Sequence, residues 1–349
     1  MRFSKMTSKV TSGTVSVTVS AAVAISASPF VPAPDPAPAP TAAIHNEIRI
    51  PHEARKTGNT PQRLKGRFIE IKGGPIECAS ENPELADSLT RDIAKSLKNR
   101  DSRAAMVLYD RTTRTSCTYR ADKHYDSASI VKPIILGALL LARRTHLSED
   151  ERDLAREMIV HSDNDATYTL WDRLGPEKIQ KFLDRAGMKN TTLDEAGFMG
   201  LTQVTARDQA KLLELLTGDD NSVLDADERG YILDLMHDVQ KDQRWGTPAG
   251  APSDAAVQVK NGWLQRSESG LKNPWDRGDW KVNSMSAFTN HSYDYGLVVL
   301  TENNRVPESE SPDVGWDYGM ATIEGVAKAV HHNLYPDRIP VAAGSPGRT

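Results

Sequence analysis

Ser129 stands three residues ahead of Lys132 in Ser129-Ile130-Val131-Lys132, at the head of an apolar run that continues through Ile134, Ile135 and Leu136. Residues three apart on a helix share a face, so the spacing predicts the lysine one turn from the serine. A serine hydroxyl becomes a useful nucleophile when a base stands within hydrogen-bond reach. Lysine can be that base where burial or a neighbouring cation disfavours its ammonium, and a serine at a helix start meets the positive end of the dipole. Alone, the pair also reads as a helix cap followed by an unrelated cation. Two later segments add to it. In Ser162-Asp163-Asn164 a second serine can pass a proton to a leaving amine and an asparagine amide can hold a carbonyl, although these residues also form a polar turn readily. In Val259-Lys260-Asn261-Gly262-Trp263 the lysine suits a substrate carboxylate and the glycine lets a substrate backbone approach a strand edge. Asn-Gly is equally a strong hairpin-turn signal.

The flanking patterns assign these segments to a helix start, a loop and a strand end. Asn82-Pro83-Glu84 caps a helix carrying Leu85, Leu89, Ile93 and Leu97 on one face. Ala104–Tyr109 and Thr115–Tyr119 read as a hairpin, followed by a long apolar helix from Ser129 to about Arg143. Ser148 with Glu151 forms a capping box for the next helix, which ends near Val160, and Thr205 with Asp208 signals another. After a helix through Leu233 and Met236 the pattern turns to period two in Ala255–Lys260, Lys281–Phe288 and Tyr293–Thr301, before a last helix at Ile323–Leu334. Strands at both ends with helices between them predict an α/β (α+β) fold: one antiparallel sheet flanked by helices, with a helical insert packed beside it.

Ser-x-x-Lys, Ser-Asp-Asn and Lys-x-Gly, in that order and on helix, loop and strand, form the motif set of class A β-lactamases and penicillin-binding proteins. The chain resembles that superfamily, and most of all the β-lactamase-like serine hydrolases of actinobacteria, over roughly Cys78 to Leu334. The similar stretches include Ser127–Pro133, Met158–Ala166, Gln243–Gly246, Val259–Leu264 and Trp280–Ser284. The resemblance implies Ser129 as nucleophile, Lys132 as general base and Ser162 as proton relay. It implies Asn164 on the acyl side-chain amide, and Lys260 and Asn261 on the substrate carboxylate. The backbone N–H groups of Ser129 and Trp263 would hold the oxyanion, with Gly262 giving the substrate room. The implied activity is hydrolysis of β-lactam-type amides through an acyl-enzyme, without cofactor or metal. A D-alanyl-D-alanine carboxypeptidase or a non-hydrolysing wall-associated binder are the alternatives.

Three departures qualify the resemblance. Ser129 and Ser162 are closer in sequence than in typical class A enzymes, which predicts a more open cleft. Position 261 is Asn where the family usually has Thr. The loop before the helix near Thr205 looks too short for the glutamate that activates the deacylating water, leaving Glu195 as the candidate.

Arg2, Lys5 and Lys9, the mildly apolar Val15–Ala27 and small residues after it describe a secretory signal over residues 1–28. A Pro-rich linker and lead-in over 29–74, a catalytic domain over 75–336 and a flexible tail over 337–349 complete the expected organisation. Cys78 and Cys117 are the only cysteines. In a secreted chain that count fits one disulfide, with two buried thiols the other possibility. A net charge of −4 with mixed signs excludes a nucleic-acid binder, which needs a basic stripe. No apolar run is long enough to span a membrane. The expected partner is a small β-lactam or D-alanyl peptide, with the cell wall as a possible second, and the expected state is a monomer. Asp225-x-Asp227 with Gly230 begins like a calcium loop, but its twelfth position is Met236.

Overall fold

The computed structural model describes residues 65–144, 146–266, 280–304, 311 and 313–338. All belong to the second of two units, Asn59–Thr349. The expected signal over 1–28, nearly all of the linker and the tail beyond 338 lie outside the described residues.

Seven strands form an antiparallel sheet: β1 (Lys65–Ile71), β2 (Gly74–Ser80), β3 (Arg103–Asp110), β4 (Thr115–Tyr119), β7 (Ala256–Gln265), β8 (Trp280–Thr289) and β9 (Asp294–Glu302). Their order is β1-β2-β4-β3-β9-β8-β7, so the first and the last stretches of the domain meet at its centre through β3 and β9. The helices α1 (Pro83–Leu97) and α8 (Val314–Leu334) pack together, α1 on β1 and β2, α8 on β8 and β9. α1 starts as its sequence demands, with Asn82 Oδ1 accepting from the N–H groups of Glu84 and Leu85 and proline in its first turn. Nearly every residue of β3 and β9 is buried, which requires cover on both faces.

Between β4 and β7 lie α2 (Lys132–Arg143), α3 (Glu149–Val160), α4 (Asn164–Leu174), α5 (Pro176–Arg185), α6 (Ala206–Thr217) and α7 (Ala226–His237). α6 covers β3, β8 and β9, and α7 rests on β7. α2 is apolar almost all round and buried from Lys132 to Leu141, as a helix at the centre of a lobe must be. Its Gly137 leaves no room for a Cβ, which would lie 2.4 Å from Phe182 Cζ of α5. Capping boxes open α3 (Ser148 with Glu151) and α7 (Asp225 with Glu228). The acidic start at Asp225 therefore serves a helix terminus.

Several elements differ from the sequence reading. β1 lies inside the stretch read as a lead-in, and the folded unit thus begins ahead of residue 75. Its residues show no clean alternation because it is an edge strand with most side chains in solvent. A two-stranded sheet of β5 (His124–Asp126) and β6 (Gln203–Thr205) was too short to leave a period. The predicted helix from Ser129 opens as a 3-10 turn, Ala128–Val131, and becomes α-helical at Lys132. Finally, β7 does not stop at Lys260: it runs through Asn261 and Gly262, paired with Ser284 and Asn283 of β8. Cross-strand pairing overrides the Asn-Gly turn preference there.

Cys78 and Cys117 face each other across β2 and β4 and are bonded, closing a loop with a separation of 39 residues. Cross-linking a loop of that size restricts the unfolded chain by about 4 kcal/mol in the entropic account. The Cys78→Ser/Cys117→Ser variant is expected to lose about 2–4 kcal/mol in urea unfolding. An unchanged midpoint would show that the bond contributes nothing.

Candidate active site

The short 3-10 turn Ala128–Val131 carries Ser129 to the interface between the helical lobe and β7. Three contacts fix it. Asn283 Nδ2 in β8 donates to the carbonyls of Asp126 (2.9 Å) and Ser127 (3.2 Å), while its Oδ1 accepts from Thr301 N. Ser127 N donates to Thr202 O and Ser127 Oγ to Met199 O. The third is steric: a Cβ on Gly262 would lie 2.5 Å from Ser129 N and 2.8 Å from Ile130 N. Only glycine lets the strand backbone come so near the turn. Ala128 has φ +46°, a left-handed conformation that alanine adopts at a cost of about 1–3 kcal/mol. Ser162, with φ +58°, is strained in the same way.

Lys132 points out of the first turn of α2 into a buried space shared with two of the other motif segments. Its Nζ donates to the Ser162 carbonyl, to Ser162 Oγ (3.1 Å) and to Asn164 Oδ1 (3.0 Å). From the opposite wall Lys260 Nζ donates to the same Ser162 Oγ (2.9 Å) and to Asn261 O (3.2 Å). Two lysines thus flank one hydroxyl. Burial lowers the Lys132 pKa to about 7, with the Asp163 charge pulling weakly the other way. Burial, helped by the Lys132 charge, holds Lys260 well below the ordinary lysine value. Asp163 itself caps α4, its Oδ1 accepting from Ala166 N at 2.7 Å.

The half-exposed Ser129 hydroxyl has no hydrogen-bond partner among the described residues. Its helical neighbour Lys132 is turned instead toward Ser162 and Asn164. Asn164 is exposed, with its Oδ1 engaged by Lys132. Trp263, half-buried, packs its ring at a tilt against Trp245 and Trp316, at centroid distances of 5.8 and 6.2 Å. β7 is a sheet edge, and alternate N–H groups of such a strand have no partner within the sheet.

Asn261 departs from its expected place. Its side chain is fully buried and its Nδ2 donates to Gln243 O and Trp245 O, both at 2.9 Å. The amide of a residue adjacent to Lys260 on a strand faces the other way, so its Nδ2 fastens the Gln243–Trp245 segment to β7. Lys260, also fully buried, would act on a carboxylate through its field alone.

Glu195 is exposed on the loop between α5 and β6. With Asp194, Gln203 and Arg266 it lines a small cavity of about 380 Å³ whose lining does not include Ser129. The loop meets the turn of Ser129 through Met199 O and Thr202 O, which hold Ser127, and an added Cβ on Gly200 would lie 3.6 Å from Ala128 Cα. Sequence reasoning did not single out Asn283 or the Ser127 hydroxyl as supports of the turn. The signal was there in an asparagine within the buried run Val282–Ala287.

A model of the beta-lactamase enzyme family matches residues 144–332, more than half of the chain. The chain belongs to the beta-lactamase enzyme family. Ser162, Asn164 and Lys260 lie inside the matched stretch, and Ser129 and Lys132 lie just ahead of it. A comparison with curated proteins finds no match. Solved structures of class A beta-lactamases share the fold. One from Bacteroides cellulosilyticus has 15% identity and a TM-score of 0.58, covering 73% of this chain and all of its own. The extended-spectrum enzyme TLA-3 has 17% identity and a TM-score of 0.59, covering 71% and 98%. A beta-lactamase of Xanthomonas campestris has 19% identity and a TM-score of 0.55, covering 72% and 98%. This beta-lactamase-family chain is an α/β protein with the sheet and helical lobe predicted.

Gly262 tests how the family fold is used here. Gly262→Ala is expected to lower the rate of labelling by a penicillin by about 10²-fold, the scale of losing one oxyanion donor, because the added methyl must displace Ser129 N. A variant that keeps its circular dichroism and labels at the wild-type rate would show that the approach is not needed.

Proposed function

We propose that this chain is an exported serine hydrolase that opens β-lactam-type amides through an acyl-enzyme on Ser129. The reading rests above all on one observation: Lys132 and Lys260 flank the Ser162 hydroxyl, with hydrogen bonds to it of 3.1 and 2.9 Å, beside the turn that carries Ser129. A lysine with a pKa of about 7 is half neutral at physiological pH, where a general base is most effective. Neutral Lys132 has two N–H bonds for Ser162 O and Asn164 Oδ1, and a lone pair for a proton.

In the proposed sequence Lys132 removes the Ser129 proton as Oγ attacks the amide carbonyl carbon. The N–H groups of Ser129 and Trp263 hold the oxyanion. The tetrahedral intermediate then collapses, the C–N bond breaks, and the proton travels from Lys132 through the Ser162 hydroxyl to the departing nitrogen. Lys260, kept close to Ser162, stabilises the hydroxyl oxygen as the proton passes. Water finally attacks the Ser129 ester, releases the acid and restores the hydroxyl. Export is supported by the basic, apolar and small-residue order of the first 28 residues and by the Cys78–Cys117 bond.

A second reading is favoured by the loop ahead of β6. With Glu195 on a cavity whose lining does not include Ser129, the ester would be long-lived, as in a penicillin-binding protein. Intact mass spectrometry of the protein mixed with a penicillin decides between them. A transient adduct with drug consumed is expected for the hydrolase, and a persistent adduct for the second reading. No adduct with any β-lactam or D-alanyl ester would sink both.

A further inference from the structure

A cavity of about 800 Å³ opens beside β1 and β2, at the opposite edge of the sheet from β7 and Ser129. Its inner wall is apolar, from Ile69 and Ile71 of β1 and Ala94 and Leu97 of α1. Its other lining is strongly cationic: seven lysines and arginines stand against two carboxylates, Glu70 and Asp101, in a chain whose net charge is −4.

Some of these cations are already occupied. Arg100 lies over the Tyr318 ring at 3.6 Å and donates to Thr322 Oγ1 and Tyr318 O, and Arg103 pairs with Glu302 at 3.0 Å. Lys72 meets Asp101 only at 3.9 Å, both largely in solvent, where such a pair is worth little. Arg91, Lys95 and Lys98 are different. Their i, i+4, i+7 spacing puts them on one exposed face of α1, and none has an ion-pair or hydrogen-bond partner among the described residues. Like charges at this spacing repel one another. Arg120 adds a second, independent feature. It sits at φ +47° after β4, with a buried Nε that has no partner among the described residues. Its Nη1 lies 3.2 Å from where a Cβ of Gly73 would stand. The guanidinium is thus held by unfavourable backbone beside the apolar wall, with one donor left unsatisfied among the described residues.

We propose that this cavity binds an amphiphilic phosphate ester, with its hydrocarbon against Ile69, Ile71, Ala94 and Leu97 and its phosphate between Arg120 and the α1 cations. A dianionic, multi-acceptor head matches a cluster of arginine and lysine donors, and the wall offers burial that a bare anion cannot use. The site is separate from Ser129, and its occupancy does not depend on the reaction proposed there.

Calorimetric titration of the full chain with hexyl phosphate, inorganic phosphate and hexanol tests this. Hexyl phosphate is expected to bind saturably, at least tenfold more tightly than inorganic phosphate, and to weaken as salt screens the cations. Arg91→Gln/Lys95→Gln/Lys98→Gln and, separately, Arg120→Gln are each expected to weaken it tenfold or more while labelling by penicillin is unchanged, which certifies the fold. The proposal is overturned if hexyl phosphate does not saturate, if inorganic phosphate binds as well, or if the neutralised variants bind like the wild type. Capture of the chain by phosphatidic acid vesicles, uncompeted by hexyl phosphate, would place the anion on a membrane surface and overturn the cavity as its site. Competition would make a lipid headgroup one source of the ester.

Discussion

Ser129→Ala is expected to abolish covalent labelling by a penicillin, with any residual β-lactam turnover down by at least about 10⁴-fold, the scale of removing a serine nucleophile. The structure makes this a clean experiment. Ser129 is half-exposed, and its hydroxyl has no hydrogen-bond partner among the described residues, so deletion leaves no buried donor or acceptor orphaned. Its stability should stay within about 0.5 kcal/mol of the wild type, as for other surface substitutions. The 3-10 turn persists because Asn283, Ser127 and Gly262 hold it from the main chain and from neighbouring strands. Loss of labelling with unchanged unfolding would therefore be a loss of chemistry. An adduct of wild-type yield in the Ala variant would move the nucleophile elsewhere, with Ser162 the first residue to examine by peptide mapping.

The turn also shows what the sequence carried and what it did not. The three motif segments were legible only together, since each alone reads as a cap or a turn and their shared order is what points to chemistry. Strand patterns at both ends with helices between them were enough to predict the sheet with its helical insert. The surroundings were less legible for identifiable reasons. Asn261-Gly262 has the local preference of a turn, but ten residues of pairing between β7 and β8 outweigh it, and the glycine is needed for contact with Ser129 N. The resemblance implied a carboxylate contact for Asn261, whereas strand alternation sends its Nδ2 to Gln243 and Trp245. The strain at Ala128 and Ser162 has no signature in residue type, because neither is a residue that favours positive φ. The edge strand β1 left no period because one face of it has little to bury.

The pH dependence of acylation follows from Lys132. Burial lowers its pKa to about 7, and only the neutral amine can take the Ser129 proton. The rate of adduct formation is therefore expected to rise with pH through about 7 and level off above it. Lys132→Met should lose about 10²–10⁴-fold, the range for a positioned general base, and should lose the rise as well. The same shift governs stability, with a definite sign. Between about pH 7 and the ordinary lysine value near 10.4 the unfolded chain binds a proton that the folded chain does not, so stability gains with rising pH across that window. Below it both states are protonated, and the buried ammonium keeps its full unfavourable cost. Lys260, shifted in the same direction by the same cause, adds to the slope. Urea unfolding at pH 6.5, 8 and 9.5 should show the wild type gaining on Lys132→Met as pH rises, even though the Met variant also loses the bonds to Ser162 and Asn164. Parallel curves, together with an acylation rate that is flat across pH 7, would mean that Lys132 stays charged and that the Ser129 proton leaves by another route.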